Sequence, residues 1–120
     1  MAVRAIRGAI QLDRDERDHL LSSTRELVAA VMAANYLTAD DLISIVFTVT
    51  ADLRSEFPAV AARELGLGEV PLLCTVEIDV PGALPRVVRL MAHAEMDVPR
   101  KQVQHVYLRG ATSLRLDIAQ

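Results

Sequence analysis

The sequence predicts one α/β (α+β) domain over residues 1–120, in which a mixed β-sheet of about five strands packs against one long and one short helix. Three observations support this prediction. One stretch of about twenty residues has helical periodicity, and short apolar runs that suit strands, the most β-branched of them at Leu42–Thr50, fill much of the remaining chain. Hydrophobic residues make up 52% of the chain but aromatic residues only 3%, so aliphatic side chains must build the core.

The first two elements are a strand and the long helix. Val3–Ile10 has apolar residues on both faces, and Arg7 interrupts one face, either as a solvated side chain or as a functional cation. Gly8 would let a ligand or another backbone approach closely. Asp13–Asn35 follows as the helix, because its apolar residues recur at spacings of three and four. Its first residue and Glu16 resemble a capping box.

The middle of the chain alternates strands with a short helix. Leu42–Thr50 is a β-branched run that predicts a well-buried strand. Pro58 suits the first turn of a short helix, Ala59–Leu65, which Gly66 closes. Pro71–Asp79 predicts the next strand.

Two chemically notable residues, Cys74 and Glu77, lie in this third strand. They are three positions apart, so a regular strand directs their side chains to opposite faces. They could share a site only if the strand bends near its end. Without such a site, Cys74 is an inert buried thiol.

The last third of the chain is predicted to be all β. Pro85–Asp97 also fits a helix by period, but its Val-Val pair and flanking prolines favour a strand. Arg89 lies in it among apolar neighbours, where a guanidinium must reach water, form an ion pair or meet an anionic ligand. His105–Leu108 and Ala111–Leu116 complete the strands. One long helix covers one sheet face at most, which predicts self-association.

Composition and charge argue against several classes of protein. A net charge of −3 and a pI near 5.5 provide no basic footprint for nucleic acid. No signal-peptide layout or apolar run of about 18 residues is present. Cys74 is the only cysteine, which is typical of a cytoplasmic protein without disulfides. The three histidines show no metal-ligand spacing with it, so no metal is expected.

A series of short motifs spans most of the chain, each weak by itself but consistent in order. They are I-R-G-A at Ile6–Ala9, F-P-A-x-A-x-R-E-L at Phe57–Leu65, C-x-x-E-x-D-V at Cys74–Val80, R-L-M at Arg89–Met91, D-V-P at Asp97–Pro99 and H-V-Y-L at His105–Leu108. Together they resemble the small, monofunctional AroH-like class of bacterial chorismate mutases.

The resemblance implies a fold and a reaction. The family forms homotrimers, in which sheets build a central pseudo-barrel and an active site lies in each cleft between adjacent subunits. It converts chorismate to prephenate by a pericyclic Claisen rearrangement on the route to phenylalanine and tyrosine. No cofactor is implied.

The resemblance also implies roles for individual residues. Arg89 resembles the arginine that reaches the breaking ether oxygen and a carboxylate. Arg7 and Tyr107 resemble the residues that grip the enolpyruvyl carboxylate. Glu77 matches the acid that accepts a hydrogen bond from the ring hydroxyl, with Cys74 beside it.

Further matches concern the rim of the cleft. Phe57 would form a wall, Arg63 and Arg115 would approach the ring carboxylate from the open side, and Leu114 would contact substrate. Two positions depart from the family pattern, since Val60 replaces a basic residue and Leu73 a small polar one.

Two other functions remain open from the sequence. One is a non-catalytic trimeric module that binds a small dianionic metabolite, and the other is an imine/enamine deaminase on a similar trimeric architecture. The combination of Glu77 and Cys74 with Arg7, Arg89 and Tyr107 favours the mutase.

Overall fold

The computed structural model describes residues 2–116, with side chains up to residue 114. It contains five strands, two α-helices and three short 3-10 helices. In chain order the strands and α-helices are β1 (Val3–Gln11), α1 (Arg17–Ala34), β2 (Leu42–Val49), α2 (Pro58–Glu64), β3 (Leu72–Val76), β4 (Val87–Glu95) and β5 (Val106–Leu108). The 3-10 helices are Ala39–Asp41, Arg100–Gln102 and Arg109–Leu116.

The five strands form one mixed sheet in the order β3-β2-β4-β1-β5. β4 lies at the centre and is antiparallel to both β2 and β1. The two edge strands are parallel to their neighbours, β3 to β2 and β5 to β1. The predicted fold class is therefore confirmed, including the strand rather than the helix in the Pro85–Asp97 region.

Both helices share one hydrophobic core with a single face of the sheet. Ile6, Phe47 and Leu90 are among the buried strand residues that face this core. Gly8 lies directly beneath α1, where an added Cβ would stand 3.1 Å from Cγ2 of Val31. The close approach predicted at this glycine is therefore made by a helix of the same chain.

The opposite face of the sheet is open along much of its area. Alternation along β4 directs Val88 and Leu90 into the core, while Arg89 between them points to the open face and is half-buried. Arg7 and Thr48 reach the same face from the two neighbouring strands. The charge of Arg89 is thus accommodated without entering the core, although its sequence neighbours are apolar.

The long helix begins later than predicted. Glu16, and not Asp13, is the N-cap, because its carboxylate accepts hydrogen bonds from two backbone N–H groups of the first turn. Asp15 has another partner: its two carboxylate oxygens accept the backbone N–H groups of Arg54 and Ser55 at 3.0 and 3.1 Å. The acidic segment before α1 therefore fixes a distant loop as well as the helix start.

The prediction of a strand at Ala111–Leu116 was wrong. This segment belongs to the 3-10 helix that begins at Arg109, whose φ of 54° turns the chain away from the sheet. Gly110 continues the turn so close to Gln11 that a Cβ there would overlap the glutamine side chain. Ala111 then packs with Ala9 and Val87 on the open face, in a small separate cluster. Tertiary packing overrides the alternating pattern here.

Candidate active site

A cleft of about 190 Å³ lies on the open face of the sheet. Four strands and the segment after β3 contribute to its walls. Its polar lining consists of Arg7, Thr48, Glu77, Arg89 and Tyr107, and its apolar lining consists of Gly8, Ala9, Val46, Leu90 and Met91.

The register of the sheet explains why these residues meet. Thr48 is opposite Arg89, Arg89 is opposite Ala9, and Ala9 is opposite Tyr107. Paired residues in adjacent strands point to the same face, so these four form one row across the sheet. Because Ala9 has only a methyl group, it leaves space between Arg89 and Tyr107. Arg7 lies two positions before Ala9 on the same face.

Glu77 reaches this row from just beyond the end of β3. Its backbone N–H donates to the carbonyl of Val49 at 2.8 Å, and its Oε1 accepts the Thr48 hydroxyl at 2.5 Å. The same oxygen lies 3.8 Å from Nε of Arg89. The contact with Thr48 therefore orients the carboxylate and leaves Oε2 as a free acceptor among the described residues.

The electrostatics of the cleft favour an anionic ligand. Two guanidinium groups, those of Arg7 and Arg89, face one carboxylate, so the cleft has an excess positive charge. Among residues 2–114, the only ion pair of Arg89 is the long contact with Glu77. The guanidinium of Arg7 and the hydroxyl of Tyr107 have no protein partner in that part of the chain. Several hydrogen-bond donors are thus free for a ligand that carries a carboxylate.

Other residues implied by the resemblance lie elsewhere in the single chain. Cys74 packs against the main core on the helix side of β3, so it does not meet Glu77. With Phe57 it lines a second cavity of about 340 Å³. Arg63 lies exposed on α2 and does not line the cleft of Arg89. The side chains at 74 and 77 thus follow the strand alternation expected from their spacing.

Two predicted site residues, Leu114 and Arg115, lie near the C-terminal end of the chain. Leu114 is half-buried and packs with Tyr107 against the small cluster that contains Ala111. Arg115 lies beyond the described side chains. Leu114 does not line the cleft itself but packs against the same cluster as Tyr107. At the two departures from the family pattern, Val60 packs against the core, whereas Leu73 is exposed on the edge strand.

One edge of the molecule is unusually apolar for an exposed surface. The large exposed side chains here belong to β3, to the segment after it and to the start of α2: Phe57 (66% exposed), Leu73, Val76, Ile78 and Val80. β3 is also an edge strand with unpaired backbone groups. Exposed apolar patches beside an open strand edge are typical of association surfaces.

The described residues contain neither a metal-binding cluster nor a membrane-spanning helix. No three His, Cys, Asp or Glu side chains between residues 2 and 116 are grouped so that they could hold a metal ion. Over the same range, no helix combines the length and apolar character needed to cross a membrane.

Comparisons with known proteins agree with one another. Residues 3–118 match the family model for chorismate mutase type I. The chain is 47% identical over 117 residues to the chorismate mutase AroH of Thermus thermophilus, covering 97% of this chain and 96% of that one. It is 38% identical over 120 residues to the chorismate mutase AroH of Bacillus subtilis, covering 99% and 94%. A solved chorismate mutase structure from Clostridium thermocellum superposes with a TM-score of 0.90 at 44% identity, covering 91% of this chain and 97% of that one.

Proposed function

The chain belongs to the chorismate mutase type I family and isomerises chorismate to prephenate in aromatic amino-acid biosynthesis, and we propose that it does so in the Arg89 cleft, completed by a neighbouring subunit of a homotrimer. The observation that carries the site assignment is the row of Thr48, Arg89, Ala9 and Tyr107, with Arg7 and Glu77 beside it. It brings two guanidinium groups, one oriented carboxylate and a phenol to a single cleft. We treat residues 1–120 as one chorismate-mutase-like domain, which the span of the family match supports.

The reaction requires a fixed conformer and a stabilised charge. In one step the ether C–O bond of chorismate breaks while a new C–C bond forms, and no proton transfer or covalent intermediate is required. The enzyme must hold the compact conformer in which the reacting carbons are close. It must also stabilise the negative charge that grows on the ether oxygen. Together, these two effects can lower the activation free energy by roughly 8 kcal/mol, which is at the lower end of enzymatic accelerations.

The proposed roles are those that the family resemblance implies, and the charge and placement of each side chain in the cleft support them. Arg89, near the centre of the row, donates to the ether oxygen and to a substrate carboxylate. Arg7 and Tyr107 on the neighbouring strands hold the enolpyruvyl carboxylate. Glu77 accepts the ring hydroxyl through Oε2, since its Oε1 is occupied by Thr48. We expect no cofactor or metal to take part, because every donor and acceptor this reaction requires is a side chain of the protein.

The proposed trimer would supply the missing wall of the cleft. In one chain the cleft is open, whereas Phe57 and Cys74 line a different cavity on the far side of β3. We propose that this second cavity of one subunit faces the Arg89 cleft of the next, which places Phe57, Cys74 and Arg63 against the substrate. The exposed apolar edge around β3 supports such an interface. Leu114 and Arg115, at the C-terminal end, would complete the rim.

We also propose a cytoplasmic location. The single cysteine, Cys74, is free in the structure, and a reducing compartment keeps such a thiol unmodified.

Two measurements test the proposal. Purified protein should remove the absorbance of chorismate and produce prephenate, and Arg89→Ala should abolish this turnover. Sedimentation should give about three times the chain mass of 13.1 kDa. A stable monomer with full activity would contradict the intersubunit site but not the reaction. Tight binding of chorismate without turnover would instead favour a non-catalytic binding module.

A further inference from the structure

The strand that carries Tyr107 is held in place largely by side chains. β5 has only three residues and lies at the sheet edge, so its ladder with β1 is short. Before it, Asn35 at the end of α1 exchanges two hydrogen bonds of 2.9 Å with the backbone of Gln104. After it, Arg109 donates to two side chains of α1. These contacts attach both ends of β5 to the helix, whereas a ladder of only three residue pairs attaches it to the sheet.

The side chain of His105 adds a further attachment of β5 to the sheet. Its Nδ1 accepts the backbone N–H of Arg7 at 2.9 Å. The parallel ladder begins one residue later, with Gly8 opposite Val106, so the imidazole adds one rung at the start of the ladder. This bond joins the backbone of Arg7 to the residue that lies two positions before Tyr107. A single side chain thereby links the two groups assigned to the enolpyruvyl carboxylate.

We propose that His105 is a positioning residue for this carboxylate site: its neutral imidazole locks β5 onto β1 so that Arg7 and Tyr107 converge on one anion. The inference rests on the proposed function of the cleft. Because a backbone N–H can only donate, Nδ1 must be unprotonated in this arrangement. A proton at Nδ1 would place two hydrogen-bond donors, this N–H and that of Arg7, opposite each other and break the hydrogen bond between them.

The surroundings of His105 keep it neutral. It lines a cavity of about 450 Å³ whose other charged or titratable groups are Arg4 and Arg7 of β1, His93 of β4, and Arg100 of the nearby 3-10 helix. No carboxylate from residues 2–114 lines this cavity. Partial burial and then the charge of Arg7 lower the pKa of His105 below its ordinary value of 6.5. The positioning bond is therefore intact at neutral pH and is lost only when the pH falls through this lowered pKa.

Two substitutions of His105 separate the effect of losing the hydrogen-bond acceptor from the effect of losing the imidazole ring. Asparagine has an acceptor oxygen at the same position along the side chain as Nδ1 and does not titrate, whereas leucine has a similar volume and no acceptor. At pH 7.5 we expect His105→Asn to keep KM and kcat within about twofold of the unmodified protein. We expect His105→Leu to raise KM by roughly three- to tenfold, the scale of one lost hydrogen bond. Its kcat should change less, because the carboxylate contacts hold substrate and transition state alike.

His19 offers a matched control. Its Nε2 accepts the backbone N–H of Asp13 at 3.0 Å at the start of α1, which is the same kind of bond outside the cleft. His19→Leu should lower the melting temperature without changing KM. A rise in KM with His105→Leu alone, reversed in His105→Asn, would support a positioning role over a purely structural one. An unchanged KM in folded His105→Leu, or equal damage in both His105 variants, would overturn the proposal.

The pH profile keeps the test decisive if His105→Leu does not fold. KM of the unmodified protein should rise at acidic pH, at pH values below the ordinary histidine pKa of 6.5, and His105→Asn should lack that component of the rise. Titration of chorismate itself is common to both proteins and cancels in the comparison. Identical profiles would overturn the proposal. Failure of the proposed function is distinguishable, because it would appear as absent turnover in the unmodified protein.

Discussion

Arg89→Lys separates a catalytic role from a structural one. Lysine keeps the positive charge but replaces the planar fork of donors with a compact ammonium on a flexible stem. If Arg89 bridges the ether oxygen and a carboxylate, lysine cannot reproduce both contacts. We expect kcat to fall by roughly 100-fold, or about 2.7 kcal/mol in the barrier, which is the scale of losing one preorganised donor. KM should change less, because Arg7 and Tyr107 still hold a carboxylate.

The structure sets a much smaller limit on the stability effect. The Arg89–Glu77 contact is 3.8 Å long, and the two side chains are 40% and 28% exposed. Loose, partly solvated pairs contribute about 0–1 kcal/mol to stability. For a domain of this size that corresponds to a shift in melting temperature of at most about 4 °C. The expected loss in catalysis is therefore larger than the expected loss in stability.

The assay measures kcat and melting temperature on the same preparation. Arg25→Lys is the matched control, because Arg25 forms a shorter ion pair of 2.7 Å with Glu64 away from the cleft. That control should lose a little stability and no turnover. A near-normal kcat for folded Arg89→Lys, with a clearly lowered melting temperature, would refute the catalytic role and leave Arg89 as a structural ion-pair partner.

Three other substitutions test the site and its support. Cys74→Ser should keep most activity, because the pericyclic step needs no nucleophile; abolished turnover in a folded protein, or a trapped covalent adduct, would count against the mechanism. Thr48→Val should lower kcat/KM by about tenfold, since it frees the Glu77 carboxylate, whereas unchanged kinetics would remove Thr48 from the site. Desolvation raises the pKa of Asp15, but hydrogen bonds from Ser55 and Arg54 outweigh it and lower that pKa below 3.8. Asp15→Asn should therefore reduce the melting temperature at pH 7, and the difference should shrink as the pH falls below about 4; a difference that is constant with pH would contradict this account.

The periodic elements were predictable because the pattern of apolar residues in each one indicates which of its faces is buried. α1 shows its apolar stripe, β2 is β-branched along most of its length, and β4 begins with a Val-Val pair, so type and order follow from local pattern. The end of the chain was not predictable in this way. Its alternating residues suit a strand, but the left-handed turn at Arg109 and the pocket that receives Ala111 exist only in the folded sheet.

The candidate site likewise contains residues that the sequence could indicate and residues that it could not. Arg89 was conspicuous because it is a charge among apolar neighbours. Thr48 was missed, because threonine is ordinary in a β-branched strand and its partner Glu77 is 29 positions away. His105 was noted only as the first residue of the H-V-Y-L motif and as a histidine without metal-ligand spacing, since its role depends on the parallel pairing of the first and last strands. Residues that act on another side chain or on the backbone become visible only when the strand register is known.

The position of β1 between β4 and β5 has a consequence for synthesis on the ribosome. β1 is made first, but both of its hydrogen-bonding neighbours are made last. At about 5–20 residues per second, β1 waits on the order of several seconds for β4 to emerge. During that interval α1 is the element next in sequence against which its apolar face can pack. Because Tyr107 is on the last strand of the described sheet, the proposed carboxylate site cannot be complete in a nascent chain until β5 has been made.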